Sequence, residues 1–151
     1  MVLSVGDMAP DFTAADDWGN PLSLSQFQGR GIVLYFYPKD DMPGCTRQAE
    51  GFRDAFGDYE ERGIVVLGVS VDGVDTHRAF KDRYGLPFTL MADIEGAIAT
   101  AYGVEADGYA RRVTFFINGA GAIEKVFTPV EAETHAADIL SALGGYAGLH
   151  L

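Results

Sequence analysis

The chain has 151 residues, 48% of them hydrophobic, a net charge of −11 and one cysteine. That length suits one domain spanning residues 1–151, with ample apolar material for a core. The acidity argues against nucleic acid, whose phosphates need Lys and Arg, and against an anionic membrane surface. No apolar run approaches transmembrane length. Residues 1–10 lack the basic start and apolar centre of a signal peptide, and one cysteine closes no internal disulfide, so a reducing cytoplasm is expected.

Residues 6–27 read as short strands and turns. Trp18-Gly19-Asn20-Pro21 marks a turn, and Leu22 and Leu24 alternate with serines in strand fashion. Residues 32–37 are apolar throughout, as in a strand covered on both faces. A polar bend with Pro38, Asp40, Asp41, Pro43 and Gly44 follows. A helix is predicted to start at or next to Cys45 and to end near Glu61, with Gly63 past its end. Its buried face carries Ala49, Phe52, Phe56 and Tyr59 at steps of three and four. Residues 64–71 form a second apolar run, which makes a strand–helix–strand unit with parallel strands.

Residues 75–84 predict a helix with Asp75 as N-cap and Gly85 as stop. Residues 86–90 predict a short strand, with Pro87 near an edge or a strand start. A short helix over 96–102, an irregular loop over 104–110, and strands over 113–117 and 122–127 around an Asn118–Gly121 turn come next. A last helix is expected over 131–143, stopped by Gly144 and Gly145. The tail 146–151 fits no pattern; fraying and a subunit contact are both open. The order is mixed α/β.

Cys45 is the residue with chemistry. The first amides of a helix have no intrahelical partner, and the helix dipole is positive there, so a thiolate at that spot is stabilised. The thiolate is the attacking form, and such surroundings lower a thiol pKa from about 8.5. Ligands of open α/β sheets also sit outside the carboxyl ends of the strands, where Cys45 falls. The alternative is a small buried hydrophobe, the commoner fate of cysteine; flanking Gly44 and Thr46 in a polar bend speak against it.

Three separated segments carry a resemblance. Tyr35-Phe36-Tyr37-Pro38-Lys39-Asp40-Asp41-Met42-Pro43-Gly44-Cys45-Thr46 with Phe52-Arg53-Asp54, the earlier Gly6-x-x-Ala9-Pro10-Asp11-Phe12, and the later Arg112-Val113-Thr114-Phe115-Phe116-Ile117 resemble the peroxiredoxins, in their bacterioferritin-comigratory or Q branch. The likeness runs to about residue 143. It implies a thioredoxin-like fold with a central mixed sheet flanked by helices. The implied activity is thiol-dependent reduction of hydrogen peroxide and organic hydroperoxides through a Cys45 sulfenic acid.

By the same resemblance Arg112 is the active-site cation and Pro38 shields the sulfur, while the Gly44 and Cys45 amides offer donors to the peroxide. Arg111 is sent to the opposite face by strand alternation.

Three positions depart from the family. Met42 stands where threonine or serine is usual, and a thioether donates no hydrogen bond; Thr46 or a water would have to substitute. Gln48 stands where glutamate is common, which removes a negative charge near the thiolate. Glu50 stands where much of the branch carries a resolving cysteine. The implied enzyme is therefore of one-Cys type, resolved by an external thiol: a low-molecular-weight thiol, thioredoxin or glutaredoxin.

No cofactor is implied. No metal is expected, because His77, His135 and His150 lack metal-ligand spacing and are expected at the surface. Monomer and homodimer are both open. The alternative function is a redox sensor or binding protein on the same fold, kept in play by Met42.

Overall fold

The structure, a computed structural model, describes residues 2–144. The expectations for the tail and for His150 fall outside the described residues. The strands are β1 (Thr13–Asp16), β2 (Pro21–Ser23), β3 (Ile32–Phe36), β4 (Val65–Ser70), β5 (Thr89–Ala92), β6 (Glu105–Ala106), β7 (Tyr109–Ala110), β8 (Val113–Ile117) and β9 (Ile123–Phe127). The helices are α1 (Pro43–Glu61), α2 (Val74–Tyr84), α3 (Ala97–Ala101) and α4 (His135–Leu143).

Seven strands form one mixed sheet in the order β2-β1-β5-β4-β3-β8-β9. β3 pairs in parallel with β4, and β4 with β5; β8 returns antiparallel on the other side of β3. All five residues of β3 are buried, as a strand covered on both faces requires. Period-two alternation divides them between two cores. Val33 and Tyr35 join a cluster with Tyr37, just past the strand, and with Ala49, Phe52, Tyr59, Phe80 and Ile139 from α1, α2 and α4. Ile32, Leu34 and Phe36 join Ile98, Tyr102 and Phe115 on the other face.

Several boundaries differ from the sequence reading. Leu24 begins a 3-10 turn over Leu24–Phe27 instead of ending a strand. α2 starts at Val74 on Gly73, with Asp75 inside its first turn. β5 starts at Thr89 and lies inside the sheet between β1 and β4; Pro87, which has no N–H to give a ladder, stays outside it. The 104–110 loop contains the β6–β7 hairpin, closed by Asp107 and Gly108 with φ of 54° and 84°. An Asp-Gly pair is a strong sign of such a turn. α4 begins at His135, because the 131–134 segment is a turn in which the Thr134 amide bonds the Glu131 carbonyl at 3.2 Å.

One close approach fixes the spacing beneath the site. Gly68 in β4 faces Tyr35 in β3, and a Cβ there would stand 2.8 Å from Tyr35 Cζ and 2.9 Å from Leu90 Cδ2. Gly68→Ala should therefore destabilise the fold by about 1–3 kcal/mol through overpacking. Urea unfolding checks this; an unchanged midpoint would show that Tyr35 and Leu90 move aside freely.

Candidate active site

β3 delivers the chain to the site. Beyond its end the Tyr37 amide still bonds the Val69 carbonyl at 3.1 Å. Pro38 follows, half-buried, and Asp41 takes a left-handed φ of 65°. Met42 is the N-cap of α1 in extended conformation, and Pro43 fills the first helical position, where a missing N–H costs nothing. The first intrahelical bond runs from the Thr46 amide to the Met42 carbonyl at 2.8 Å. The amides of Gly44 and Cys45 thus precede the helical ladder and are free donors of the first turn.

Cys45 is 1% exposed and belongs to the buried cluster of Tyr35, Tyr37, Ala49 and Phe52. This corrects the expectation that the polar bend keeps the sulfur out of the core. Cys45, Ala49, Phe52 and Tyr59 lie on one helix face, so the periodicity that marks α1 extends back to the cysteine itself. Met42, in contrast, is 41% exposed.

Arg112 reaches the same turn from just before β8. Its Nη1 donates to Gln48 Oε1 at 2.9 Å, and its Nη2 lies 3.1 Å from where a Cβ on Gly44 would project. The guanidinium spans the residues on both sides of Cys45. Arg111 turns elsewhere: its Nη2 donates to the Gly103 carbonyl at 2.9 Å, and its side chain is exposed. Both arginines precede β8, so the divergence comes from the backbone before the strand and not from strand alternation.

Further polar groups belong to β3 and the first turns of α1. Among the described residues, Tyr35 Oη, Thr46 Oγ1 and Gln48 Nε2 are buried without a hydrogen-bond partner. The Tyr35 hydroxyl is pushed well above the usual phenol range, first by burial and then by the negative charges of Asp40 and Cys45, with Arg112 opposing. It stays protonated.

Two of the three histidines depart from the surface placement that the sequence suggests. His77 and His135 are buried, not at the surface. His77 lies between Asp40 and the Met91 carbonyl, 2.7 and 2.9 Å away. His135 Nε2 is 2.7 Å from Thr114 Oγ1, and its ring meets Phe52 edge-on at 5.7 Å. Burial, above all, lowers His135 to about 4 from an ordinary 6.5. The unfolded chain therefore binds a proton between these values that the folded chain does not. Stability contributed by neutral His135 is full above pH 6.5 and falls away as pH drops toward 4, by up to about 3 kcal/mol. Urea melts from pH 7 to 4 should show this slope, and His135→Gln should flatten it; an identical slope in the variant would assign it to other groups.

A family model described as the AhpC/TSA family matches residues 5–126. The peroxiredoxin Bcp of Bacillus subtilis strain 168 is 38% identical, over 95% of this chain and 96% of its own length. The chain belongs to the AhpC/TSA family, among the Bcp and Q peroxiredoxins. Solved structures agree with this peroxiredoxin. The peroxidoxin BcpB of Mycobacterium tuberculosis superposes with a TM-score of 0.86 at 31% identity, covering 92% of this chain and 95% of that one. A mutant of Xylella fastidiosa PrxQ gives 0.89 at 27%, covering 95% and 96%. The seven-stranded mixed sheet with its flanking helices is thus the thioredoxin-like arrangement of the family. With Cys45 as its sole cysteine, this peroxiredoxin is of one-Cys type.

Proposed function

We propose that this peroxiredoxin reduces hydrogen peroxide and organic hydroperoxides with the Cys45 thiolate as nucleophile. The observation that carries the reading is the first turn of α1. There two amides without helical partners belong to Gly44 and the buried Cys45, and the Arg112 guanidinium lies beside Gly44 and bonds Gln48 of the same turn. A carboxylate partner would offset the arginine's charge; Gln48 holds it by a neutral oxygen instead.

The thiolate attacks one peroxide oxygen along the O–O axis. The S–O bond forms as the O–O bond breaks, and the departing oxygen leaves as water or alcohol after taking a proton. Charge developing on that oxygen meets the Arg112 N–H groups and the Gly44 and Cys45 amides, donors already in place. Pro38, half-buried at the end of β3, limits water at the sulfur. The Met42 thioether offers no donor there, and the Thr46 hydroxyl is buried without a partner among the described residues.

Cys45 is left as sulfenic acid, which the chain cannot close onto a second cysteine. An external thiol attacks the oxidised sulfur, releases water and forms a mixed disulfide, and a second thiol restores Cys45. A low-molecular-weight thiol, thioredoxin or glutaredoxin fits this role. The reading places the protein in the reducing cytoplasm as a monomer or homodimer. Among the described residues no helix is long and apolar enough to cross a membrane.

Peroxide consumption with a thiol donor tests the proposal. Sustained turnover supports it. A single equivalent consumed without turnover would instead support a redox sensor, a reading that the burial of Cys45 and the substitution at Met42 favour. A related expectation concerns Met42, at the N-cap facing solvent. Met42→Thr should speed Cys45 oxidation about fivefold, the worth of one hydrogen bond of about 1 kcal/mol. An unchanged or lower rate would mean that Thr46 already fills the role.

A further inference from the structure

Asp40 lies in the bend between β3 and α1, five residues before Cys45, and is buried against His77 of α2. His77 Nε2 stands 2.9 Å from the carbonyl oxygen of Met91 in β5. A carbonyl only accepts, so Nε2 carries a hydrogen. On the other side of the ring, Nδ1 is 2.7 Å from Asp40 Oδ2. If the ring were neutral and Asp40 ionised, a nitrogen lone pair would face a carboxylate oxygen at that distance. One proton must lie between the two atoms, whether as imidazolium against carboxylate or as neutral ring against carboxylic acid.

The groups around the pair support this. Asp40 Oδ1 accepts from the Tyr37 hydroxyl at 2.6 Å. Tyr37 is a firm donor, because burial first, and Tyr35 and Asp40 next, push its hydroxyl well above the usual range. Asp72 is a further charged neighbour. Its Oδ2 accepts from the Asp40 amide at 2.8 Å and from the Ser70 hydroxyl at 2.6 Å. Ligand atoms of Asp40, Asp72 and His77 lie within 4.8 Å of one another. Both ring nitrogens, both Asp40 oxygens and Asp72 Oδ2 are nevertheless already bonded within the protein. A cation would have to break those bonds, which favours a proton over a metal.

We propose that Asp40 and His77, joined by one buried shared proton, are positioning residues for Cys45. Asp40 is held at its amide by Asp72 and at its carboxyl by Tyr37 and His77. Residue 41 then turns through its left-handed conformation, and Met42 opens α1. The lock fixes where the first turn begins, and so where the Gly44 and Cys45 amides and Arg112 meet the sulfur. The inference rests on the peroxidase reading, because its rate test uses peroxide.

Two measurements test it. In protein labelled with nitrogen-15, a low-field proton resonance coupled to His77 Nδ1 is expected, and Asp40→Asn should remove it. A bare Nδ1 at neutral pH in the unsubstituted protein would overturn the proposal, even if a variant failed to fold.

The second measurement compares Cys45 oxidation by hydrogen peroxide with its alkylation by iodoacetamide, which does not use the peroxide donors. Asp40→Ala should slow oxidation about tenfold, since small misplacements of reacting groups are costly, and alkylation less than about twofold. Asp40→Asn, whose amide can donate to a neutral Nδ1 and accept from Tyr37, should restore most of the rate. Equal slowing of both reactions, or no slowing, would overturn it. Sluggish oxidation of the unsubstituted protein would count against the peroxidase reading instead, leaving the resonance to decide the shared proton.

Discussion

Cys45→Ser should reduce peroxide turnover to the uncatalysed rate while the fold remains. The two side chains differ by one atom, and the site is the third residue of α1, where serine is tolerated. Serine's hydroxyl is far too weak an acid to ionise beside free amides and one guanidinium, and an unactivated hydroxyl is a poor nucleophile. The structural cost is a smaller, more polar atom in a buried cluster. That is about 1 kcal/mol, a shift in melting temperature of about 2–4 °C for a chain of this size. Peroxide consumption beside circular dichroism separates the outcomes. Retained activity would move the chemistry away from the only cysteine in the chain. Loss of both activity and fold would leave Cys45 as a packing residue.

Arg112→Met should slow Cys45 oxidation by about a hundredfold or more, the usual effect of removing a donor aimed at transition-state charge. Methionine keeps length and apolar bulk but no charge. Arg111→Met, whose exposed parent side chain bonds the Gly103 carbonyl, should change the rate less than about twofold. Gln48 makes the contrast sharper. It positions Arg112 through Oε1 at 2.9 Å without adding a negative charge, so the arginine's field at the sulfur is not cancelled by its own partner. Stopped-flow rates for both variants decide the matter. Equal slowing would mean that the guanidinium beside Gly44 and Gln48 acts only in packing.

The sheet and the long helix were largely legible from local pattern. The apolar runs that became β3 and β4, the three-and-four spacing of α1, and the Asn118–Gly121 turn between β8 and β9 are all properties of neighbouring residues. Cys45 at the start of α1 followed from the same pattern, and its burial was readable too, since it lies four and seven residues before Ala49 and Phe52. The Asp107-Gly108 turn of the β6–β7 hairpin is equally legible, since an Asp-Gly pair marks such a turn by itself.

What could not be read are the partnerships across the chain. Asp40 meets His77 at a separation of 37 residues, and Thr114 meets His135 at 21. Nothing in the local sequence of a histidine distinguishes a buried, fully bonded ring from a solvated one; tertiary packing decides it. The start of α4 at His135 is likewise not set by local composition. Glu131 and Glu133 suit a helix, but the turn before Thr134 prevails.

Peroxide reduction here depends on a buried sulfur at the head of α1 made reactive by first-turn amides and Arg112. Stopped-flow oxidation of the reduced protein by hydrogen peroxide, followed by mass spectrometry of the product, tests it most directly. A second-order rate orders of magnitude above that of a free thiol is expected, with one added oxygen on Cys45 that an external thiol removes again. Oxidation no faster than that of a free thiol, or oxygen added first at an exposed site such as Met42, would contradict it.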